Sequence, residues 1–129
     1  MDKKAGSVTV GGALLIVDDE PQNLRAWRRT LTKYFDKIWF ASTPQEGEAI
    51  LKKHPIDYLV CDERLGPGNP RGATLVPKWR SLYPAIQKAL IVSGGSEATI
   101  PMHSGIDDVV SKTIFPADLV GIMKGVENE

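Results

Sequence analysis

The side chains that could take part in chemistry lie at the ends of apolar runs, either as the last residue of the run or immediately after it. They are Asp18, Asp19 and Glu20 after "ALLIV", Asp62 after "DYLVC", Ser93 at the end of "KALIVS" and Lys112 after "DDVVS". Carboxylate oxygens, with water completing the shell, suit Mg²⁺, which commonly binds one or two protein carboxylates together with phosphate oxygens. Clustered carboxylates near a hydroxyl and an ammonium group therefore predict a site for Mg²⁺.

The first acidic loop argues against one common kind of phosphate site and leaves a plainer interpretation open. Nucleotide and flavin folds place glycines after the first strand, so that backbone N–H groups face a phosphate, whereas this chain places anions there. Taken alone, Asp19 and Glu20 before Pro21 are also ordinary residues for a helix N-terminus. Asp62 alone is an ordinary turn residue. The metal site is favoured because all these residues follow strands whose ends should converge.

Five strands are needed to position these residues, and the apolar runs supply them. The predicted strands are residues 13–17, 37–41, 57–61, 88–93 and 107–111. Their nearly continuous apolar centres are typical of parallel strands buried on both faces. Five βα repeats predict an α/β fold, a doubly wound five-stranded parallel sheet of the flavodoxin-like type with strand order 2-1-3-4-5. The ligand site of such a sheet lies beyond the carboxyl ends of the strands, between strands 1 and 3.

Apolar residues at helical spacing predict the connecting helices. The positions are Leu24, Trp27, Leu31 and Phe35 in the first, Gly47, Ile50 and Leu51 in the second, Leu75, Val76, Trp79, Leu82 and Tyr83 in the third, and Leu119, Ile122, Met123 and Val126 in the fifth. The fourth, around "EATIPMHSG", has the weakest pattern because Pro101 interrupts it.

Composition limits the classes of function. With 129 residues the chain is one domain, and 16 basic against 16 acidic residues give no support to direct binding of nucleic acid or a membrane. The single cysteine, Cys61, excludes an internal disulfide and suits a reducing cytoplasm. We expect no secretion signal or membrane span, because the apolar run after the first residues is short.

Four motifs together resemble a known family. "IVDDEP", "VCDERL", "LIVSGG" and "VVSK" occur in the order and at the spacing of the receiver domain of two-component response regulators, the CheY-like family. The resemblance runs from about Ala13 to Val126. It implies an N-terminal tail over residues 1–12 and a receiver domain over residues 13–129, either alone or as a piece of a longer regulator.

The resemblance assigns a role to each site residue. Asp62 corresponds to the phosphorylated aspartate, Asp19 to a direct Mg²⁺ ligand and Asp18 to a ligand through water. Ser93 and Lys112 correspond to the hydroxyl and the lysine that contact the phosphoryl group. The backbone carbonyl of Arg64 is expected to be a further metal ligand. These roles suit phosphoryl transfer, in which a carboxylate attacks phosphorus and cations absorb charge on its oxygens.

Three positions depart from the family pattern. Lys112 is followed by Thr113 where the family has proline, so a cis peptide there would be costly and a rearranged loop is the alternative. "DERLGPGNPRG" after strand 3 contains two extra residues, which enlarge the loop beside Asp62. Val109 stands at the switch position, where the family usually has tyrosine or phenylalanine.

Three functions are compatible with these residues. The first is a phosphoacceptor switch that takes a phosphoryl group from a histidine kinase or a histidine phosphotransfer domain, signals to an effector and slowly hydrolyses its own aspartyl phosphate. It would not be an enzyme in the conventional sense. The second is a degenerate receiver that binds proteins without phosphorylation. The third, a metal-dependent phosphatase, is disfavoured because Arg64 replaces the second aspartate that such enzymes typically need.

Overall fold

Five strands and the helices between them make up the part of the chain that is described, residues 10–95, 100 and 105–125 of a computed structural model. The strands are β1 (Ala13–Val17), β2 (Lys37–Ala41), β3 (Tyr58–Asp62), β4 (Lys88–Ser93) and β5 (Asp108–Ser111). The helices are α1 (Pro21–Leu31), with a 3₁₀ turn (Thr32–Tyr34) after it, α2 (Pro44–Lys53), α3 (Gly72–Leu82) and α4 (Pro116–Lys124).

The sheet has the order β2-β1-β3-β4-β5, and every neighbouring pair is parallel. The predicted fold class and strand order are therefore confirmed. The register aligns the carboxyl ends of the strands, because Val17 pairs with Cys61 and Ser93 pairs with Ser111. Residues that follow the strands consequently meet at one edge of the sheet.

Alternation along the strands builds a separate core on each face of the sheet. On β1, Leu15 and Val17 face a cluster that includes residues of α2 and α3, such as Leu51 and Trp79. Their neighbours Leu14 and Ile16 face the cluster of α1 and α4. Burial on both faces explains why the strands are apolar throughout.

The helices begin at residues suited to a first turn. Pro21, Pro44 and Pro116 stand at the starts of α1, α2 and α4, where proline costs no hydrogen bond. Thr43 caps α2 by accepting a hydrogen bond from the backbone N–H of Glu46 at 3.1 Å. These local preferences agree with the tertiary arrangement.

Details of the predicted elements need correction. β3 and β5 each begin one residue later than predicted, and β3 extends to Asp62 because that residue pairs with Val92. Phe35 lies beyond α1, after the 3₁₀ turn, although it is buried as expected. Leu82, placed on the apolar side of α3, is 58% exposed because it ends the helix.

Two predictions concern segments at the limits of the described residues. The fourth predicted helix, around residues 97–105, lies almost entirely outside them. Of the predicted tail, residues 10–12 are described, and the N–H of Val10 donates to the carbonyl of Tyr34 at 2.7 Å. The domain boundaries at 12 and 129 stay a prediction. Among the described helices, not one combines the length and apolar character required to cross a membrane.

Candidate functional site

Three acidic side chains meet at the carboxyl edge of the sheet. Asp18 and Asp19 follow β1, and Asp62 ends β3 beside it. One carboxylate oxygen from each lies within 4.8 Å of the others. Asp18 and Asp62 are each only 3% exposed, while Asp19 is the most exposed of the three. The structure thus brings together three of the residues predicted to bind metal.

Asp18 is held by the backbone on both sides. Its N–H donates to the carbonyl of Ala41 at 3.0 Å, and its Oδ1 accepts from the N–H of Glu20 at 2.9 Å. Burial raises the pKa of Asp18 to about 6, the Glu20 N–H opposes that rise, and the nearby charge of Asp62 adds to it. The ionised form of this site therefore needs a cation.

Lys112 supplies one positive charge. Its Nζ lies 2.9 Å from Oδ2 of Asp62, and its side chain is 31% exposed. Burial lowers the pKa of Lys112, but contact with Asp62 and the charge of Asp18 outweigh burial and leave the pKa raised. The ammonium group is therefore charged at neutral pH.

The Lys112 ammonium is an ion-pair partner at 2.9 Å, but the buried Oδ2 of Asp62 accepts no well-aligned hydrogen bond from the described residues. Buried carboxylate oxygens rarely lack such partners. A metal ion or an incoming phosphoryl group would meet an available oxygen here.

Ser93 reaches the same edge through the register. It follows Val92, which pairs with Asp62, and it is 6% exposed. Its carbonyl accepts from the N–H of Lys112 at 3.0 Å, which ties the ends of β4 and β5 together. Its hydroxyl accepts from the N–H of Gly95 at 3.2 Å, so the hydroxyl proton is left to donate.

The enlarged loop after β3 approaches the metal site. A β-carbon at Gly66 would lie 3.4 Å from Oδ2 of Asp19, and Gly66 has a φ of 99° that favours glycine. Arg64 lies at the start of this loop with an exposed side chain. Its role as a carbonyl ligand stays a prediction.

Sequence reasoning missed Glu63. Although charged, it is 5% exposed, and its Oε1 accepts from the N–H of Ala73 at 2.9 Å, at the start of α3. The available signal was an acid ten residues before Ala73, in the first turn of a helix whose N-cap residue, Arg71, has no short polar side chain. That separation is too long for the local capping patterns that a sequence displays.

The departures from the family pattern are accommodated locally. The N–H of Thr113, which proline would lack, donates to the hydroxyl of Ser111 at 3.1 Å. The two hydroxyls of Ser111 and Thr113 lie 2.8 Å apart. Val109 is half-buried and packs against the cluster of α2 and α3. No aromatic ring occupies that position.

The residues present fit a hard divalent cation. The donors are carboxylate oxygens from three residues, and in the part of the chain that the structure describes the buried Oδ2 of Asp62 lacks a well-aligned hydrogen-bond donor. Cations of this class bind through oxygen and keep several waters, which the exposed side of Asp19 would admit.

Comparison with known proteins agrees with this geometry. The family model described as response regulator receiver domain matches residues 14–124. The chain belongs to this family. The receiver domain shares its fold with a CheY-like receiver domain protein from Methanospirillum hungatei, with a TM-score of 0.77, 24% identity and coverage of 92% of this chain and 93% of that one.

A response regulator protein from Burkholderia pseudomallei, solved with a phosphorylated aspartic acid, a calcium ion and citrate, has the same fold. Its TM-score is 0.77, its identity 17%, and the match covers 87% of this chain and 66% of that one. At such identity the likeness concerns the fold alone.

Two curated relatives are regulators of transcription. The hydrogenase transcriptional regulatory protein HoxA of Cupriavidus necator is 32% identical over 115 residues, 86% of this chain and 23% of that protein. The alginate biosynthesis transcriptional regulatory protein AlgB of Pseudomonas aeruginosa is 29% identical over 110 residues, 84% of this chain and 24% of that protein. The receiver domain thus spans about a quarter of the length of these relatives.

Proposed function

We propose that this receiver domain is a phosphoacceptor switch that takes a phosphoryl group onto Asp62 from a histidine of a kinase or a phosphotransfer domain. The observation that carries the proposal is the buried Asp62 carboxylate, with the Lys112 ammonium 2.9 Å away and two further carboxylates beside it. Family membership supports the same function.

The residues divide the work of the transfer. An oxygen of Asp62 attacks phosphorus, the bond from phosphorus to the histidine nitrogen breaks, and the imidazole leaves with the electron pair. Lys112 and the Ser93 hydroxyl bind phosphoryl oxygens, where negative charge must be stabilised. Asp19, Asp62 and the Arg64 carbonyl would hold Mg²⁺ directly, and Asp18 would hold it through water. The bound ion would neutralise the acids and the charge of the phosphoryl group.

A cleft next to the site offers a place for the donor. It has a volume of about 170 Å³ and is lined by Trp27 of α1, by Asp18 and Lys112, and by Ile114 and Pro116 at the start of α4. Between the last two stands Phe115, which is 72% exposed. Aromatic side chains are enriched in protein–protein interfaces, so an exposed phenylalanine beside a cleft suits contact with a protein. We place the histidine-bearing partner here, with α1 contributing to the contact.

The output lies with other proteins or segments. The names of the relatives point to transcription, and we extend that to this chain as a proposal. The domain itself would bind no nucleic acid, because its 16 basic and 16 acidic residues leave no net charge. We place the protein in the cytoplasm, where histidine kinases act on their receivers. Slow hydrolysis of the aspartyl phosphate would reset the switch.

The test is mass spectrometry of the intact protein after treatment with acetyl phosphate. Wild type with Mg²⁺ should gain the mass of one phosphoryl group, and neither Asp62→Asn nor wild type in EDTA should gain it. Asp57→Asn, at the opposite edge of the sheet, is the matched control and should label like wild type.

An adduct on Asp62→Asn would overturn the assignment of the acceptor. Complete failure of wild type to label, with Mg²⁺ present, would instead favour the degenerate receiver that binds partners without phosphorylation. Val109 at the switch position is the feature that favours this second function.

A further inference from the structure

Glu63 is a buried charged residue to which the phosphoacceptor chemistry gives no role. It follows Asp62 directly, and its side chain is 7% exposed. Burying a carboxylate is costly unless hydrogen bonds or charges compensate it. Its partners should therefore show what it does.

Within the described residues, the partners of the Glu63 side chain lie at the start of α3. Oε1 of Glu63 accepts from the N–H of Ala73 at 2.9 Å, and Oε2 lies 3.8 Å from Nη1 of Arg71. The side chain of Arg71, the N-cap residue of α3, makes no capping hydrogen bond. The first N–H groups of a helix need acceptors, and a negative charge is favourable there. Glu63 thus caps α3 from the end of a strand.

The backbone of Glu63 closes the same junction. Its carbonyl accepts from the N–H of Gly72 at 3.0 Å, and its N–H donates to Val92 at 2.9 Å. Gly72 packs so tightly that a β-carbon there would lie 2.7 Å from the carbonyl oxygen of Asp62. The helix start is therefore fastened onto the backbone of the phosphoacceptor.

Residues 64–71 form the loop that this junction closes at its base. Farther along the loop, Gly66 lies against Asp19, where a β-carbon would be 3.4 Å from Oδ2. The loop also carries Arg64, the predicted carbonyl ligand. The position of the loop beside the metal ligands therefore depends on the contacts between Glu63 and the start of α3, which join the two ends of the loop.

We propose that Glu63 is a positioning residue for the metal site. By capping α3 it holds the enlarged loop 64–71 against Asp19 and so raises the affinity for Mg²⁺. The inference rests on the proposed function, because it assumes that Asp18, Asp19 and Asp62 hold Mg²⁺.

The chain offers a matched control in α2. Thr43 caps that helix through the N–H of Glu46 at 3.1 Å and belongs to neither the acidic cluster nor the enlarged loop. Thr43→Ala should lower the melting temperature by loss of a cap and leave Mg²⁺ binding unchanged. If Glu63 had a purely structural role, Glu63→Ala would likewise lower the melting temperature and leave Mg²⁺ binding unchanged.

The experiment measures Mg²⁺ affinity by calorimetric titration, together with the melting temperature without metal. Glu63→Ala should bind Mg²⁺ about 10-fold more weakly than wild type, as residues that orient metal ligands typically do when removed. Glu63→Gln keeps an oxygen acceptor for Ala73 and should restore most of the affinity. If Glu63→Ala does not fold, Glu63→Asp, whose shorter side chain reaches less far, should show the loss relative to Glu63→Gln.

The outcomes separate the two proposals. If wild type binds no Mg²⁺, the proposed function fails and the inference fails with it. If wild type binds Mg²⁺ and the Glu63 variants bind it equally well, only the inference is overturned. An equal loss of affinity in Thr43→Ala would also overturn it, because general destabilisation would then be sufficient.

Discussion

Aspartates lie at both edges of the sheet, but their surroundings differ between the carboxyl edge and the amino edge. At the carboxyl edge stand Asp18, Asp19 and Asp62, close enough to share a cation. At the amino edge Asp36, Asp57 and Asp107 each stand one residue before a strand.

The aspartates of the amino edge are partnered by backbone donors. Oδ2 of Asp57 accepts from the N–H of Ala13 at 2.9 Å. Oδ2 of Asp107 accepts from the N–H of Ala89 at 2.8 Å and lies 2.7 Å from Nη1 of Arg80. Each carboxylate thus joins its own strand to the neighbouring one.

The difference teaches that residue type alone does not mark a site. Backbone N–H groups at the amino edge that lack a partner within the sheet need acceptors, so aspartates there satisfy the backbone. At the carboxyl edge the carboxylates lie close together, and Oδ2 of Asp62 has no well-aligned donor among the described residues. These carboxylates contribute less to the stability of the fold than they would if they were partnered by backbone donors. They are available instead to bind a metal and a phosphoryl group.

The largest expected effect is the response of the carboxyl edge to Mg²⁺. At a concentration of about 100 times Kd, Mg²⁺ should stabilise wild type by about 2.7 kcal/mol. Asp62→Asn should respond far less, because a ligand is lost. Without metal, Asp62→Asn should be more stable than wild type, since repulsion from Asp18 and Asp19 is relieved. Thermal unfolding of both proteins, with and without Mg²⁺, measures this. Equal responses would abolish the distinction between the edges.

Removing a carboxylate from the amino edge should lower the free energy of unfolding, whereas Asp62→Asn at the carboxyl edge should raise it in the absence of metal. Asp107→Ala leaves the buried N–H of Ala89 without its acceptor and takes a partner from Arg80, so we expect a loss of about 2 kcal/mol. The same substitution at the carboxyl edge, Asp19→Ala, should change the stability of the metal-free protein by less than about 0.5 kcal/mol. Urea unfolding in EDTA compares them. A greater loss in Asp19→Ala would contradict the comparison.

A smaller effect should appear in the pH dependence of the metal-free protein. Burial raises the pKa of Asp18 to about 6, from an ordinary value of 3.8. The Glu20 N–H, Lys112 and Asn23 oppose the rise, and Asp62 adds to it. The folded state therefore holds the proton more tightly than the unfolded chain. The stability that Asp18 contributes is complete below pH 3.8 and is lost as the pH rises through about 6.

Wild type should accordingly lose stability relative to Asp18→Asn as the pH is raised from acid toward neutral. Melting temperatures in EDTA across that range test the sign. If wild type gained stability relative to Asp18→Asn instead, the pKa of Asp18 would be lowered by folding, and the carboxyl edge would resemble the amino edge.

The sequence predicted what periodicity and strand ends determine. The five apolar runs gave the parallel sheet and its order, and residues after strands gave the carboxyl edge, because the topology forces strand ends to converge. Asp57 and Asp107 were included in predicted strands 57–61 and 107–111. Their role in joining strands depends on which strand lies beside them, and that relation is not local in the sequence.

Glu63 was missed, and Leu82 was wrongly predicted to be on the apolar side of α3, for related reasons. Ala73, the hydrogen-bond partner of Glu63, is ten residues away across a loop. Hydrophobic periodicity does not predict the conformation of that loop. Leu82 fits the apolar spacing of α3, but the last residue of a helix can face solvent, and it is 58% exposed. Tertiary contacts of single side chains were therefore the part that could not be predicted.

The smallest expected effect is the conformational change that phosphorylation of Asp62 causes in regions away from the site. Receivers with an aromatic side chain at the Val109 position can swing the ring into space vacated by the hydroxyl near the phosphoryl group. Val109 is β-branched and nearly fixed at χ1, it is half-buried, and its strand position pairs with Ile91. A ligand shifts a balance only if two arrangements differ in affinity for it. Val109 has no ring to swing into that space, so the signal should pass mainly through the loop 64–71.

Amide hydrogen exchange with and without beryllofluoride and Mg²⁺ ranks the regions. Protection should change most at residues 62–72, less at 105–120, and not measurably at 55–58 and 85–88 of the amino edge. Glu63→Ala should reduce the protection change at residues 62–72 and leave protection at the amino edge unchanged. The reason is that the loop would no longer be held against the metal site. Larger changes at 105–120 than at 62–72 would show that β5 transmits the signal without an aromatic ring. Changes at the amino edge would show that its aspartates belong to the switch as well.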